Sequence, residues 1–382
     1  MTPVELSRTV LRAVRRAVDE GALSVTVPER VVVAPPGPGG CGDYATNIAL
    51  QLARPARQPS RDVAEILKTR LIGSDGITDV VVTGPGFLNI SLRDTAAVTL
   101  VEEIRERGNR YGHAIGFSGD VWQLQAVHEV RAVVLADALG RIMRSQGAAV
   151  RVTCTARPAP EWETRLGVRL DSHGKRVFPG PLVVNLRPVP APSDPVRLGR
   201  DAGRWALLHP ASHDRPRIDD DCLVQRESNP LFRVRYAHAR IRALSRNAAD
   251  LGFDAEPELL AEPGLLTEPQ AHPKPQAHAK PQSHPSTPHP LKPHPHLHPL
   301  LPHLADHPRV LAQAAEDRAP DRLARHLVTV ADAVMPLLPT VLPRGAEKPS
   351  AAHRARLALA EAAGTVLAGG LSLLGIDAPE HI

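Results

Sequence analysis

Apolar residues recur at helical spacing from the start of the chain. Val4, Leu11, Val14 and Val18 make one stripe, Thr2 and Glu5 form a T-x-x-E capping box, and Pro3 suits a first turn. A Gly/Pro stretch from Pro35 to Gly42 then breaks the chain. A second helix comes next, expected to be capped by Asp43 with Ala45, Ile48, Ala49 and Leu52 on one face. A third is expected around Ala64 to Leu71, and period-2 alternation runs from Asp79 to Leu92, interrupted by Gly84-Pro85-Gly86. Helices with a small sheet make residues 1–110 an α+β domain.

From Val121 to Thr155 the pattern reads strand, helix, strand, with Leu135, Leu139 and Ile142 spaced along one helix face. The stretch to about Pro195 is cut by prolines and has room for one or two short strands at most. Residues 111–198 therefore form a reduced α/β centre, too short to complete a nucleotide-binding sheet. Helical patterns return from Asp201 to about Gly252 and from Val310 to Gly375, so residues 199–382 read as an all-α helical bundle. It is split by an insert at about 262–308. Nine of the chain's 18 histidines and a proline every few residues lie between Ala271 and Pro308. Such a tract has little to bury and reads as an exposed, polyproline-like linker.

Only 3% of the 382 residues are aromatic, so the core must come from Leu, Val, Ile and Ala. No uninterrupted apolar run reaches about 18 residues, and the first 25 residues lack an export signal, which predicts a cytoplasmic protein off the membrane. Cys41, Cys154 and Cys222 are scattered and odd in number, which excludes a disulfide framework and a CxxC metal site. Of the 46 basic residues six are Lys, an arginine bias that suits phosphate and base contacts but equally a GC-rich genome.

Two constellations carry candidate chemistry. Alternation after Gly84-Pro85-Gly86 puts Leu88, Ile90 and Leu92 on one strand face and Phe87, Asn89 and Ser91 on the other. Phe87 would stack on an unstacked base and Asn89 would bond its edge, unless the ring is simply covered by a neighbouring helix. The second is the helix opened by Asn229 and Pro230. Val234, Ala237, Ile241, Leu244 and Ala248 form its apolar side, Arg235, Arg242 and Arg246 one basic row, and Arg233 and Arg240 another. Tyr236 and Asn247 lie between the rows, and Glu227 is the one acid from Arg226 to Ala249. The rows fit a phosphate backbone or form a solvated face. His238 borders the apolar side and reads as a packed, hydrogen-bonded histidine. Neither the irregular histidine tract nor Asp219-Asp220-Asp221 has metal-site spacing, so no metal is expected.

Gly42-Asp43-Tyr44-Ala45-Thr46-Asn47 and Gly84-Pro85-Gly86-Phe87-Leu88-Asn89-Ile90 resemble the N-terminal additional domain of arginyl-tRNA synthetases. Asp201-Ala202-Gly203-Arg204 resembles that family's DALR signature. Asn229 to Ile241 resembles the first helix of its anticodon-binding domain, and Gly370 to Glu380 its C-terminus. The resemblance implies a tRNA D-loop contact at Phe87 and Asn89, an anticodon-binding bundle, and a truncated class I synthetase Rossmann remnant between them. The departures lie in the catalytic elements. Ala126-Val127-His128-Glu129 stands where the family has its HIGH-type ATP motif, and Lys175-Arg176 opens a stretch with no KMSK-type Ser or second Lys. Val334 to Leu338 replaces aromatics of a later helix. These features imply a catalytically dead paralogue with ATP binding and every cofactor lost, holding tRNA or another structured RNA but not DNA. The alternatives are an interaction protein docking on the true synthetase or translation machinery, and a residual aminoacylation-related enzyme.

Overall fold

The computed structural model describes residues 3–37, 40–92, 95–174, 182–261 and 298–381. Its chain divides into two compact units, one built on Leu6–Ala96 and the other on Ala97–Glu258 with Leu300–Ile382.

The first helix, α1 (Pro3–Asp19), buries Leu6, Val10, Ala13, Val14 and Ala17. The apolar stripe is thus displaced from the one expected: Val4, Leu11 and Val18 are only half-buried at its margins. Thr2 lies outside the described residues. In the N-terminal unit a three-stranded antiparallel sheet of β1 (Tyr44–Thr46), β2 (Ile77–Thr83) and β3 (Phe87–Leu92) has the order β1-β3-β2. Helices α2 (Ile48–Ala56) and α3 (Ser60–Leu71) join it in a core of Ile48, Leu52, Val63, Leu67, Val80, Leu88 and Ile90. Asp43 is not a helix cap. Its carboxylate accepts the Leu92 N–H at 2.7 Å, and pairing of residues 44–46 with β3 pulls Ala45 into a strand, so α2 starts after Asn47.

The second unit opens with α4 (Ala96–Arg107) and then a parallel sheet in the order β6-β5-β4-β7, made of β4 (Val121–Ala126), β5 (Ala149–Cys154), β6 (Ser172–His173) and β7 (Leu182–Leu186). The expected β-α-β unit is there, joined by α5 (Val130–Ser145). Register separates the two faces of the sheet. Leu124, Val152 and Val184 align on one face, and Gln125, Thr153 and Asn185 on the other, where Gln125 and Thr153 are buried as well and Asn185 is exposed.

After the short α6 (Pro160–Thr164), helices α7 (Gly199–Leu208), α8 (Pro230–Asp250), α9 (Leu300–Glu316), α10 (Pro320–Val334) and α11 (Ala351–Leu374) complete the unit. Among the described residues one helix, α11, is long and apolar enough to cross a membrane by length and composition, yet 72% of its most apolar window is buried as the bundle's core. Two buried arginines fasten α5 to later parts of the same unit. Arg131 donates to the carbonyls of Leu207, Val189, Asp214, Pro210 and Ala211, and Arg204 to Leu374 and Leu166 and to the Asp137 carboxylate at 2.6 Å.

The proline- and histidine-rich tract is shorter than expected. Residues 262–297 lie outside those described, but Leu300 to Pro308 are helical, with Leu300, Leu301, Leu304 and His307 buried. Leucine spacing overrides the prolines here. Pro302 falls in the first turn, where no N–H is needed, and Pro308 leaves the Leu304 carbonyl without its helical donor, a gap that the Tyr111 hydroxyl fills at 3.2 Å.

Candidate nucleic-acid interface

In the N-terminal unit, Thr83 pairs with Phe87 across the loop Gly84-Pro85-Gly86, and Gly84 and Gly86 take φ of 52° and 129°. Gly86 is also required by contact: a Cβ there would lie 2.8 Å from the Ser60 carbonyl oxygen, and the Ser60 hydroxyl donates to the Pro85 carbonyl. The hairpin tip is thereby held on the start of α3. Phe87 is 39% exposed, as a stacking ring must be.

Asn89 does not share that open face. It is 2% exposed, and its amide donates to Thr83 Oγ1 at 2.7 Å and to the Val81 carbonyl, while its Oδ1 accepts the Cys41 N–H at 3.3 Å. The loop returning ahead of β1 covers it. Its hydrogen bonds are spent inside the protein, so it cannot read a base edge.

Helix α8 forms as expected: Asn229 Oδ1 accepts the Leu231 N–H at 3.0 Å, and Val234, Ala237, Ile241, Leu244 and Ala248 are all buried. His238 is packed, with Nδ1 2.9 Å from the Pro379 carbonyl, and burial lowers its pKa from the ordinary value. The arginine rows, however, are largely paired. Arg233 meets Asp332 at 2.8 Å, Arg235 meets Asp201 at 3.4 Å, and Arg242 and Arg246 share Glu380 at 3.1 and 3.6 Å. None of those acids lies within the helix's own sequence. Arg240 and Asn247 are exposed, and Arg240 forms no ion pair among the described residues. Tyr236, 37% exposed, stacks on Phe232 with centroids 5.4 Å apart.

Between β4 and α5, buried Ala126 and half-buried Val127 lead to exposed His128, which bonds the Arg157 carbonyl at 2.9 Å and lies against Trp162. Glu129 then caps α5. Its Oε1 accepts from Arg131 N at 3.0 Å and Ala191 N at 3.1 Å, and its Oε2 from Ala132 N at 2.9 Å. The end of the helix that attracts anions thus holds the chain's own carboxylate. Lys175 and Arg176 lie outside the described residues. Among the described residues, no group of three or more His, Cys, Asp or Glu side chains is placed to hold a metal ion.

Residues 5–92 match the arginyl tRNA synthetase N terminal domain, and residues 234–382 match the DALR anticodon binding domain. The chain is related to the arginyl-tRNA synthetases. Arginine–tRNA ligase of Frankia alni is 39% identical over 160 residues, which is 39% of this chain and 29% of that protein. The Pseudarthrobacter chlorophenolicus ligase is 30% identical over 278 residues, 68% of this chain and 47% of that protein. The chain thus spans less than half the length of these curated relatives. Arginyl-tRNA synthetase of Thermus thermophilus superposes with a TM-score of 0.63 at 16% identity, and that of Plasmodium falciparum with 0.65 at 8%. Each comparison covers all of this chain and at least 99% of the other, so the fold is shared. The N-terminal match contains Phe87 and Asn89, and the C-terminal match contains the α8 residues from Val234 onward. Glu129 falls between the two.

Proposed function

We propose that this chain is a non-catalytic relative of arginyl-tRNA synthetase that binds tRNA or a tRNA-like RNA through its two terminal domains. The observation that carries the reading is Glu129. In the family resemblance the start of this helix meets ATP, whereas here a carboxylate already accepts three backbone N–H groups there. A nucleotide phosphate would meet like charge and no free donor on those groups, so the residues present do not fit ATP. The centre is then a truncated Rossmann remnant lying in the sequence between the two RNA-handling ends. Two measurements test this: arginine-dependent pyrophosphate exchange into ATP should stay at the no-enzyme blank, and a tRNA pool should bind with an affinity that falls as salt rises. Exchange above the blank, or no retention of tRNA at low salt, would overturn it.

A second reading is favoured by one specific feature. Ile115, Phe117, Val121 and Leu182 are exposed at or ahead of the strand starts of the parallel sheet, and the outer edge of β7 pairs with nothing among the described residues. An open, apolar sheet edge is a docking surface for another chain, the arginyl-tRNA synthetase itself being the first candidate. Mixing with purified synthetase on a sizing column tests it: two unshifted peaks would remove this reading.

A further inference from the structure

On one side the parallel sheet of the second unit ends at β7. Pairing with β4 uses alternate residues of this strand. The Val127 N–H donates to the Leu186 carbonyl at 3.5 Å, so Leu186, Val184 and Leu182 turn their backbone groups inward to β4. Val183 and Asn185 turn theirs outward, and among the described residues nothing pairs with that outer edge. Leu182 and Val183 are 54% and 38% exposed. Leu182–Leu186 contains no charge, no proline and no bulge, the devices that ordinarily keep a strand edge from pairing.

This edge is complementary to itself. In an antiparallel pairing with a second copy about a two-fold axis at Val184, all 5 residues of the strand overlap. Val183 then stands opposite the partner's Asn185, two outward-facing residues that exchange both N–H···O bonds, and the axis repeats the exchange. On one face Val184 meets its own copy in a non-hydrogen-bonded pair, and exposed Leu182 lies beside the partner's Leu186, apolar against apolar. Pro181 and Pro188 bracket the strand and have no N–H with which to lengthen the ladder, so the overlap stays centred. The opposite edge of the sheet, β6, is two polar residues, Ser172–His173, and offers a further copy no comparable ladder. Association through β7 therefore closes at two copies.

We propose that β7 is a homodimer interface, where two copies of this chain join their four-stranded sheets edge to edge through β7. This rests on the docking-edge reading of β7 above and names a second copy, in place of the synthetase, as the occupant. A copy brings the same outward-facing pair at the same spacing and sets a Leu186 opposite each Leu182, which a strand of unrelated sequence does not. The 5 residues a side fall well short of the ~20–30 of a standard interface, so the dimer exchanges with monomer and dissociates on dilution.

Sedimentation equilibrium of the full chain over a concentration series tests this. The mass should rise from 41.1 kDa toward twice that value and stop there. Leu182→Lys and Val183→Lys, each at an exposed position, should hold the chain at the monomer mass and leave its melting temperature unchanged. A disulfide checks the register in a Cys41→Ser, Cys222→Ser background, in which the remaining Cys154 is buried. There Val184→Cys should cross-link two chains under mild oxidation, because that pair straddles the axis with Cβ atoms about 4.5 Å apart, and Leu182→Cys should not. A parent that stays monomeric at its highest soluble concentration, a mass that climbs past the dimer, or lysine variants that dimerise as the parent does would each overturn the proposal. If the parent is monomeric yet co-elutes with purified synthetase, and Leu182→Lys abolishes that co-elution, the docking reading stands and the homodimer falls. If the parent neither dimerises nor binds synthetase, both fall.

Discussion

His326 makes the helical unit sensitive to mild acid. It lies on α10, 8% exposed, in a stack that runs from Tyr111 through His307 on α9, with ring centroids 5.8 and 5.3 Å apart. Its Nε2, the Nδ1 of His307 and the Nε2 of nearby His113 are buried without a hydrogen-bond partner. Burial lowers the pKa of His326 to about 4; His303 and Arg309 push the same way, and Asp306 only partly opposes them. His307 lies well below the ordinary value as well, through burial and then its neighbours His326 and His113.

Above pH 6.5 these rings are neutral in both the folded and unfolded chain and titration costs nothing. As pH falls from 6.5 toward 4, the unfolded chain takes up a proton that the folded one refuses, so stability is lost at up to ~1.4 kcal/mol per pH unit per ring. For His326 alone the loss between pH 7.5 and 5 comes to about 2 kcal/mol, a large share of a total stability of roughly 5 to 15. His307 adds to it in the same direction. Trp122, Trp162 and Trp205 are the only tryptophans and all lie in this unit, so urea unfolding followed by their fluorescence at pH 7.5 and pH 5 reads the effect directly. His326→Leu should lose about 2 kcal/mol less than the parent between the two pH values. If parent and variant lose the same amount, His326 is not refusing a proton and the argument fails.

Leu304→Ala should cost about 2 to 5 kcal/mol in the same unfolding assay, since Leu304 is fully buried on a helix whose sequence reads as linker. A cut from Ala271 to His307, harmless were the whole tract linker, should therefore lower the melting temperature sharply. Asn89→Ala should destabilise the N-terminal unit by roughly 1 to 3 kcal/mol through unpaired buried groups, seen as a drop in melting temperature, and leave the RNA salt slope unchanged. Arg204→Met should cost about 3 kcal/mol, the low end for a broken buried pair because Asp137 keeps Arg141 as a partner, and adding Asp137→Leu should recover part of that in a double-mutant cycle.

What the sequence revealed is what one or two turns of chain decide. The Asn229 cap, the apolar side of α8, the hairpin across Gly84-Pro85-Gly86 and the β-α-β unit depend on spacing and turn chemistry, and all appear where the pattern puts them. What stayed hidden depends on partners far along the chain. Asp43 carries every mark of a helix cap, but a backbone N–H 49 residues away claims its carboxylate. Strand alternation places Asn89 beside Phe87 correctly and still misjudges it, because alternation assigns a face and says nothing of the loop that returns to cover that face. Pro308 reads as a helix breaker until Tyr111, 193 residues from the carbonyl it satisfies, supplies the missing donor.

Charge obeys the same division. Between Arg226 and Ala249 the sequence shows one acid among many arginines, which looks like an open phosphate track. Folding brings Asp201, Asp332 and Glu380 against four of those arginines, so an RNA reaching them must displace acids already in place. Exposed pairs of this kind hold only about 0 to 1 kcal/mol each, so they compete with RNA without excluding it. In the N-terminal unit the order is reversed: Arg54, Arg57 and Arg61 look unremarkable in a sequence that also offers Asp62 and Glu65, yet none of the three is paired among the described residues. Net charge along a window therefore mistakes both faces, since the field a polyanion meets is set by which acids the fold delivers and which it withholds.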